Sequence, residues 1–349
     1  MVDTMSLLRA FIRTTRMTRS SSHLAPGLPA DAEVLLDAPD EHLAPALVAA
    51  AQGDHGPAAK LLATTRENAE WEDRDRYVTR LADFARFRDE WFEEWCAVSP
   101  DDPDALLVKA ELTLTHAWES PDRAELLRLT GPLIATACEG DPRDPVPWRI
   151  ALDHARGTEA GHREFERLWG EAVHRCAHHY GCHVAALRYL ASSWHGSHGE
   201  CLDFAETAAQ DALPGSLVQA LPVRAAFAYL AYGGGTEVGR ERLDEAADRA
   251  IALSARYAAA DPWPAEVRNL LTFVLVGLER WEDAMAQLRM IGPYATSFPW
   301  DRVDDDPLGL FLRLREGVSR EVSAGRPARP ARPLLPRSGY AGPTSSRGH

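Results

Sequence analysis

From Asp31 onward the apolar residues recur at spacings of three and four, and alternation of period two is absent. This is the signature of amphipathic helices, not strands. The run HLAPALVAAAQGDHGPAAKLLATTRENA reads as two antiparallel helices joined at Gly53-Asp54-His55-Gly56. A glycine closes the first, and Pro57 stands early in the second, where its missing N–H does no harm. The next stretch sets Tyr77, Leu81, Phe84, Phe87, Trp91 and Trp95 on one stripe of helical period, which Pro100 and Pro103 then break.

Asp-Pro punctuation then recurs at SPDDPDA (99–105), GDPRDPVPW (140–148), ADPWPAE (260–266) and DDDPLG (304–309). Each is followed by an apolar helical run. Pro100 to Pro142 and Pro262 to Pro307 each span a little over forty residues. That is two helices with their turns, the unit of a helical solenoid. No Asn-Gly or Asp-Gly turn between alternating segments marks a hairpin. The most regular unit is 262–292, with small or apolar residues along its first helix and Gly277 near its end. A turn at Glu279-Arg280-Trp281-Glu282 follows, and Ala284 and Leu288 open the second helix. This unit resembles a tetratricopeptide repeat, and Leu47 to Leu62 resembles one more loosely. The expected fold is all-α: a tetratricopeptide-like array of antiparallel helix pairs, an α-solenoid, over 31–320.

The ends differ from this body. Residues 1–30 are basic and finish in a Pro/Gly-punctuated linker, and residues 321–349 are rich in proline and arginine. Neither composition can bury a core, so both are expected to be disordered. Removing the +3 of residues 1–30 and the +5 of residues 322–349 from the whole-chain charge of −14 leaves −22 for the segment between them. So acidic a body argues against nucleic acid as partner, because phosphate contacts dominate that affinity, and it favours a partner that is basic in part. No apolar run approaches the roughly 18–20 residues of a membrane span. Five cysteines, an odd number at wide spacings, read as reduced and the protein as cytoplasmic, with no cofactor expected.

His174–Phe204 concentrates six of the thirteen histidines and three of the five cysteines. Cys176, His179 and His183 fall on one helical face, His174, His178 and Cys182 on an adjacent one, and His195, His198 and Cys201 follow at spacings of three. Imidazole and thiolate at such spacings suit zinc, so a metal-binding or catalytic centre over 174–201 is the alternative to a purely structural stretch. No Cys-x-x-Cys or His-Glu-x-x-His supports it, and Gly181 reads as a turn that splits the second face. Ser192, Ser193 and Ser197 lie near histidines without a nucleophile elbow. Gly233-Gly234-Gly235-Thr236 follows a helix and lacks a Gly-Lys-Ser/Thr, so it reads as a loop.

Trp194 reads as the end of a helix anchored in the core, and Gly196 as a tight turn. Ser197 reads as the N-cap of a helix over 199–210, with Glu200 completing a capping box. The segment 177–205 resembles a family of uncharacterised bacterial, actinobacterial-type proteins of unknown function. Those carry a Lys-Trp-x-Gly-Ser segment followed by Phe-Ala between tetratricopeptide-like helices. Trp194, Gly196, Ser197, His198, Phe204 and Ala205 match, and the likeness extends loosely over residues 70–230. Ser193 replaces the family's lysine and Gly199 is inserted before Glu200. The resemblance implies a fold and no reaction. The expectation is a non-enzymatic interaction module that holds a protein or peptide on its concave face, with Trp194, Gly196, Ser197 and His198 as binding candidates. A further possibility is that the arginine-rich tail clasps the acidic body.

Overall fold

The computed structural model describes residues 26–233 and 238–325. Among them fifteen α-helices follow one another: α1 Leu43–Ala50, α2 Gly56–Glu67, α3 Trp71–Phe87, α4 Glu90–Val98, α5 Pro103–Glu119, α6 Arg123–Cys138, α7 Val146–Gly157 and α8 His162–Arg175. Then come α9 Tyr180–Tyr189, α10 His198–Asp211, α11 Leu221–Tyr232, α12 Arg240–Ser254, α13 Ala265–Gly277, α14 Trp281–Ile291 and α15 Pro307–Gly325. The all-α expectation holds. The one departure among the described residues is a parallel bridge between Leu35–Leu36 (β1) and Tyr294–Ala295 (β2).

Each helix packs on its successor, and from α1 to α13 each odd-numbered helix also packs on the next odd-numbered one. The odd-numbered helices therefore form one continuous layer with the even-numbered ones against it. Burial follows this division. In α13 every residue but Glu266 and Gly277 is buried, whereas α8 buries only Phe165, Leu168 and Ala172. A helix apolar all round belongs in the interior, and one with a narrow apolar stripe belongs outside.

The Asp-Pro punctuation acts through side-chain hydrogen bonds as well as through proline. Asp102 accepts from the Asp104 N–H, Asp144 from Val146, Asp261 from Trp263 and Asp304 from Asp306, at 2.8–2.9 Å. Each carboxylate takes up an N–H at or just before the first turn of the helix that follows, as a cap should. A second device ends helices. Gly53, Ala69, Glu159 and Glu279 all have positive φ. The next residue's N–H then bonds the carbonyl five positions back: Asp54 to Ala49, Glu70 to Thr65, Ala160 to Ala155 and Arg280 to Leu275. This is the Schellman closure, and three of its four instances use a residue other than glycine.

Four expectations need correction. The stripe from Tyr77 to Trp95 is two helices, α3 and α4, broken at Arg88-Asp89; Phe87 is 76% exposed, while Tyr77, Leu81, Trp91 and Trp95 are buried. Gly181 is not a turn but lies in the first turn of α9, where a Cβ would stand 2.1 Å from Asp75 Oδ2. Its hydrogen lets α9 approach α3. Trp194 does not end a helix, because α9 stops at Tyr189 and Trp194 lies half-buried in the turn that follows. The turn of the 262–292 unit is Leu278-Glu279-Arg280, with α14 already under way at Trp281.

Two hydrophobic clusters fill the interior. One runs from Leu43 to Tyr189; the other takes in Val184 to Val318 together with Val34. They meet on α9, which gives Cys182, Ala185, Ala186 and Tyr189 to the first and Val184 and Leu187 to the second. Residues 26–30, within the segment expected to be disordered, lie against the C-terminal helices: Arg289 and Arg315 donate to the Pro26 and Pro29 carbonyls. Residues 1–25, 234–237 and 326–349 lie outside the described residues.

Candidate functional site

The histidines and cysteines of 174–201 serve separate local purposes. His179 is the N-cap of α9: its Nδ1 accepts the Cys182 N–H at 3.2 Å, which leaves Nε2 as the donor, 3.3 Å from the Trp71 carbonyl. The Cys182 thiol lies 3.2 Å from the same Nδ1, and burial pushes its pKa well above the usual thiol value, with Asp75 adding to the effect. A thiol held neutral and sealed is a poor nucleophile and a poor metal ligand. His183 donates from Nδ1 to the His179 carbonyl at 2.9 Å and packs against Trp169 and Phe204; burial lowers its pKa. Cys201 bonds the Leu190 carbonyl, and His195 stacks on Tyr189. Among the described residues, no three His, Cys, Asp or Glu side chains are placed to share a metal ion.

The four candidates of the central turn are adjacent but do not point at one centre. Trp194 stands edge-on to Trp118, with the Arg156 guanidinium against both rings and Arg123 beyond. Gly196 passes so close to α9 that a Cβ would fall 2.4 Å from the Leu190 carbonyl oxygen. Ser197 is the N-cap of α10, which begins at His198, one residue before the expected start; Ser197 Oγ accepts the Glu200 N–H at 3.2 Å. The Glu200 carboxylate meets the serine hydroxyl, at 2.9 Å, so the reciprocal bond of a capping box is replaced by a side-chain pair. His198 lies 3.2 Å from Ser192 Oγ and edge-on to Tyr229.

The strongest concentration of charge lies elsewhere, along the edge formed by the first turns of the odd-numbered helices. Arg74, Arg149, Arg224 and Arg268 are each the fourth residue of their helix, in α3, α7, α11 and α13, and all are buried. Arg74 reaches Asp144 and Asp104 at 2.6 Å each and the Leu62 carbonyl at 2.8 Å. Arg149 reaches Glu111 and Asp75 at 2.6 Å each. Arg224 reaches Glu266 at 2.6 Å and Tyr180 Oη at 3.1 Å, and lies over the Phe298 ring. Glu72, near the start of α3, accepts the Tyr180 N–H at 2.7 Å. One line of polar contacts thus joins α3, α5, α7, α9, α11 and α13.

Burial and pairing compete along this line. Burial raises the pKa of Glu111 against the pull of Arg149, and that of Asp144 against Arg74. Burial likewise raises Glu72. At Asp153 the upward push of burial is overcome by Arg188, Arg156 and Arg149 together, and its pKa falls.

The outer rim of this edge is half-exposed. There Arg76 pairs with Asp40 and Asp73 at 2.8 Å each, and its guanidinium faces the Trp263 ring at 5.1 Å. Trp263 stands just before α13, so side chains from the first and last thirds of the chain share this rim. None of these arginines was singled out by motif reading; the carboxylates that hold Arg74, Arg149 and Arg224 lie 30 to 74 residues away in sequence. A local signal did exist: Pro147-Trp148-Arg149 and Pro222-Val223-Arg224 each place an arginine two residues after the helix-opening proline. No family model, no curated protein and no solved structure matches this chain.

Proposed function

We propose that this chain is a non-enzymatic interaction module of tetratricopeptide-like build, which holds a protein or peptide segment against the rim of its odd-numbered layer. The observation that carries this reading is the rim itself. Asp73 and Arg76 in the first turns of α3 and Trp263 and Glu266 at the start of α13 offer both signs of charge and a half-buried indole, with the Arg76 guanidinium 5.1 Å from the Trp263 ring. Tryptophan and arginine are the residues that most often dominate binding energy at protein interfaces. The −22 charge of the body favours a partner that is basic in part. Five cysteines, none paired with another, fit a reducing compartment, and the cytoplasm is the proposed location.

The test is affinity capture with the full chain and with a Trp263→Ala variant, after equal melting temperatures have been checked. A partner held by the natural chain and lost by the variant supports the reading, with a loss of about 2 kcal/mol or more expected from the indole alone. A partner set that is the same for both proteins, or no partner for either, overturns it.

A further inference from the structure

The segment 26–42 changes allegiance within three residues. Up to Asp37 the backbone hydrogen bonds it makes beyond its own turn run to the C-terminal part of the chain. Pro26 and Pro29 accept from Arg289 and Arg315, and Asp31 pairs with Arg315. Leu35 and Asp37 donate their N–H groups to the Pro293 and Ala295 carbonyls at 2.8 and 2.7 Å. Val34 is buried in the C-terminal cluster. From Asp40 the partners belong to the N-terminal helices: Arg76 pairs with Asp40, Tyr77 Oη bonds it at 3.4 Å, and Leu43 is buried in the N-terminal cluster.

Asp37 is the point of exchange. Its carboxylate takes both the N–H and the hydroxyl of Ser297, at 2.9 and 2.6 Å, while Arg80 of α3 lies 3.5 Å from the same carboxylate. Its φ is +58°, which turns the chain from one half to the other. Beside this crossing the halves touch through Arg76 on Trp263. Their cores otherwise meet on α9, on the far side in chain order from both ends.

We propose that residues 26–42 are a clasp that holds the two halves shut about α9, and that releasing Asp37 opens the array between α3 and α13. This stands apart from the proposed function, because it concerns the motion of the two halves and not what they bind.

The test uses hydrogen exchange and small-angle scattering on the full chain. Asp37→Gly removes the carboxylate and relieves the strain of a left-handed residue, so a loosening runs against the backbone effect and belongs to the lost contacts. The expected result is exchange faster by roughly tenfold or more, the scale of one or two net hydrogen bonds, in 26–42, in 72–80 and in 261–268 together, with a larger radius of gyration. A second variant adds cysteines at the paired positions Leu35 and Tyr294 to Asp37→Gly. Forming that bond should return both measurements to those of the natural chain. Faster exchange confined to 26–42 and 293–297, with no change in radius, means a local strap and overturns the clasp. So does a radius that stays enlarged once the bond has formed.

Discussion

Arg74 and Arg268 occupy the same place, the fourth residue of an odd-numbered helix, in opposite halves of the molecule, and both are all but sealed from water. Their partners differ in kind. Arg74 is held by two buried carboxylates, Asp104 and Asp144, one from the first turn of α5 and one from just before α7. Arg268 bonds Ser254 Oγ and the carbonyls of Ser254, Tyr257 and Met290, at the C-terminal ends of α12 and α14. Burial lowers its pKa, with Asp261 the largest opposing influence. Arg74 joins α3, α5 and the start of α7, with the Leu62 carbonyl of α2 as a further contact, and Arg268 joins α12, α13 and α14. The first reads sequence, since only an acid at each of two positions satisfies it. The second reads helix ends, whose orphan carbonyls and negative dipole are present whatever the side chains. At this position the N-terminal half joins its helices through charge and the C-terminal half through backbone, although Arg224 and Glu266 form a charge pair between α11 and α13 as well.

The largest predicted effect separates the two modes. Arg74→Ala leaves Asp144 buried without a counter-ion and Asp104 with only the partly exposed Arg66, and should cost about 3–5 kcal/mol in urea unfolding. Replacing the whole set, Arg74→Met with Asp104→Asn and Asp144→Asn, should recover most of that loss, because a neutral buried set needs no cation and asparagine still caps α7. If the triple variant is as unstable as the single one, charge pairing is not what orders this half.

Arg268→Met comes next, at about 1–3 kcal/mol, the scale of buried acceptors left without donors. Here no second-site neutralisation should help, because the stranded groups are backbone carbonyls. Full rescue by Asp261→Asn would erase the distinction between the halves.

These two arginines also mark where the sequence stops being legible. Helices follow from spacings within a turn or two, so most of them can be read directly, and the Asp-Pro punctuation marks real helix starts. The break at Arg88-Asp89 hides because the apolar stripe resumes in phase and neither glycine nor proline marks it. At 174–183 the spacing of a capping imidazole is also that of a metal ligand. Only the Trp71 carbonyl, 108 residues away, and the buried thiol distinguish them. The pairing of Arg74 with Asp144 spans 70 residues and leaves no periodic trace. What the acids of the Asp-Pro motifs bind is a tertiary fact.

Ser197→Ala probes the seam where the halves meet. It removes the bond that Ser197 Oγ accepts from the Glu200 N–H and should cost about 1 kcal/mol. Ser197→Asn should restore most of this, since asparagine caps equally well. A melting temperature that Ser197→Ala leaves unchanged would mean that α10 is fixed by packing alone.

The smallest effect compares one turn across the halves. Gly53 closes α1 at φ +89° and Glu279 closes α13 at φ +58°, with the same bond from the next N–H to the carbonyl five residues back. Glutamate there carries the steric penalty of a left-handed residue, roughly 1–2 kcal/mol, and glycine avoids it at some cost in unfolded-chain entropy. Glu279→Gly should therefore stabilise the chain by about 0.5–1 kcal/mol, and Gly53→Ala should destabilise it by a similar amount. The side chain of Glu279 is exposed, so little else changes with it. Opposite signs from the two substitutions would show that both halves use one closure and differ only in how well its residue is suited. A loss of stability from Glu279→Gly would mean that the glutamate contributes something the turn geometry does not require.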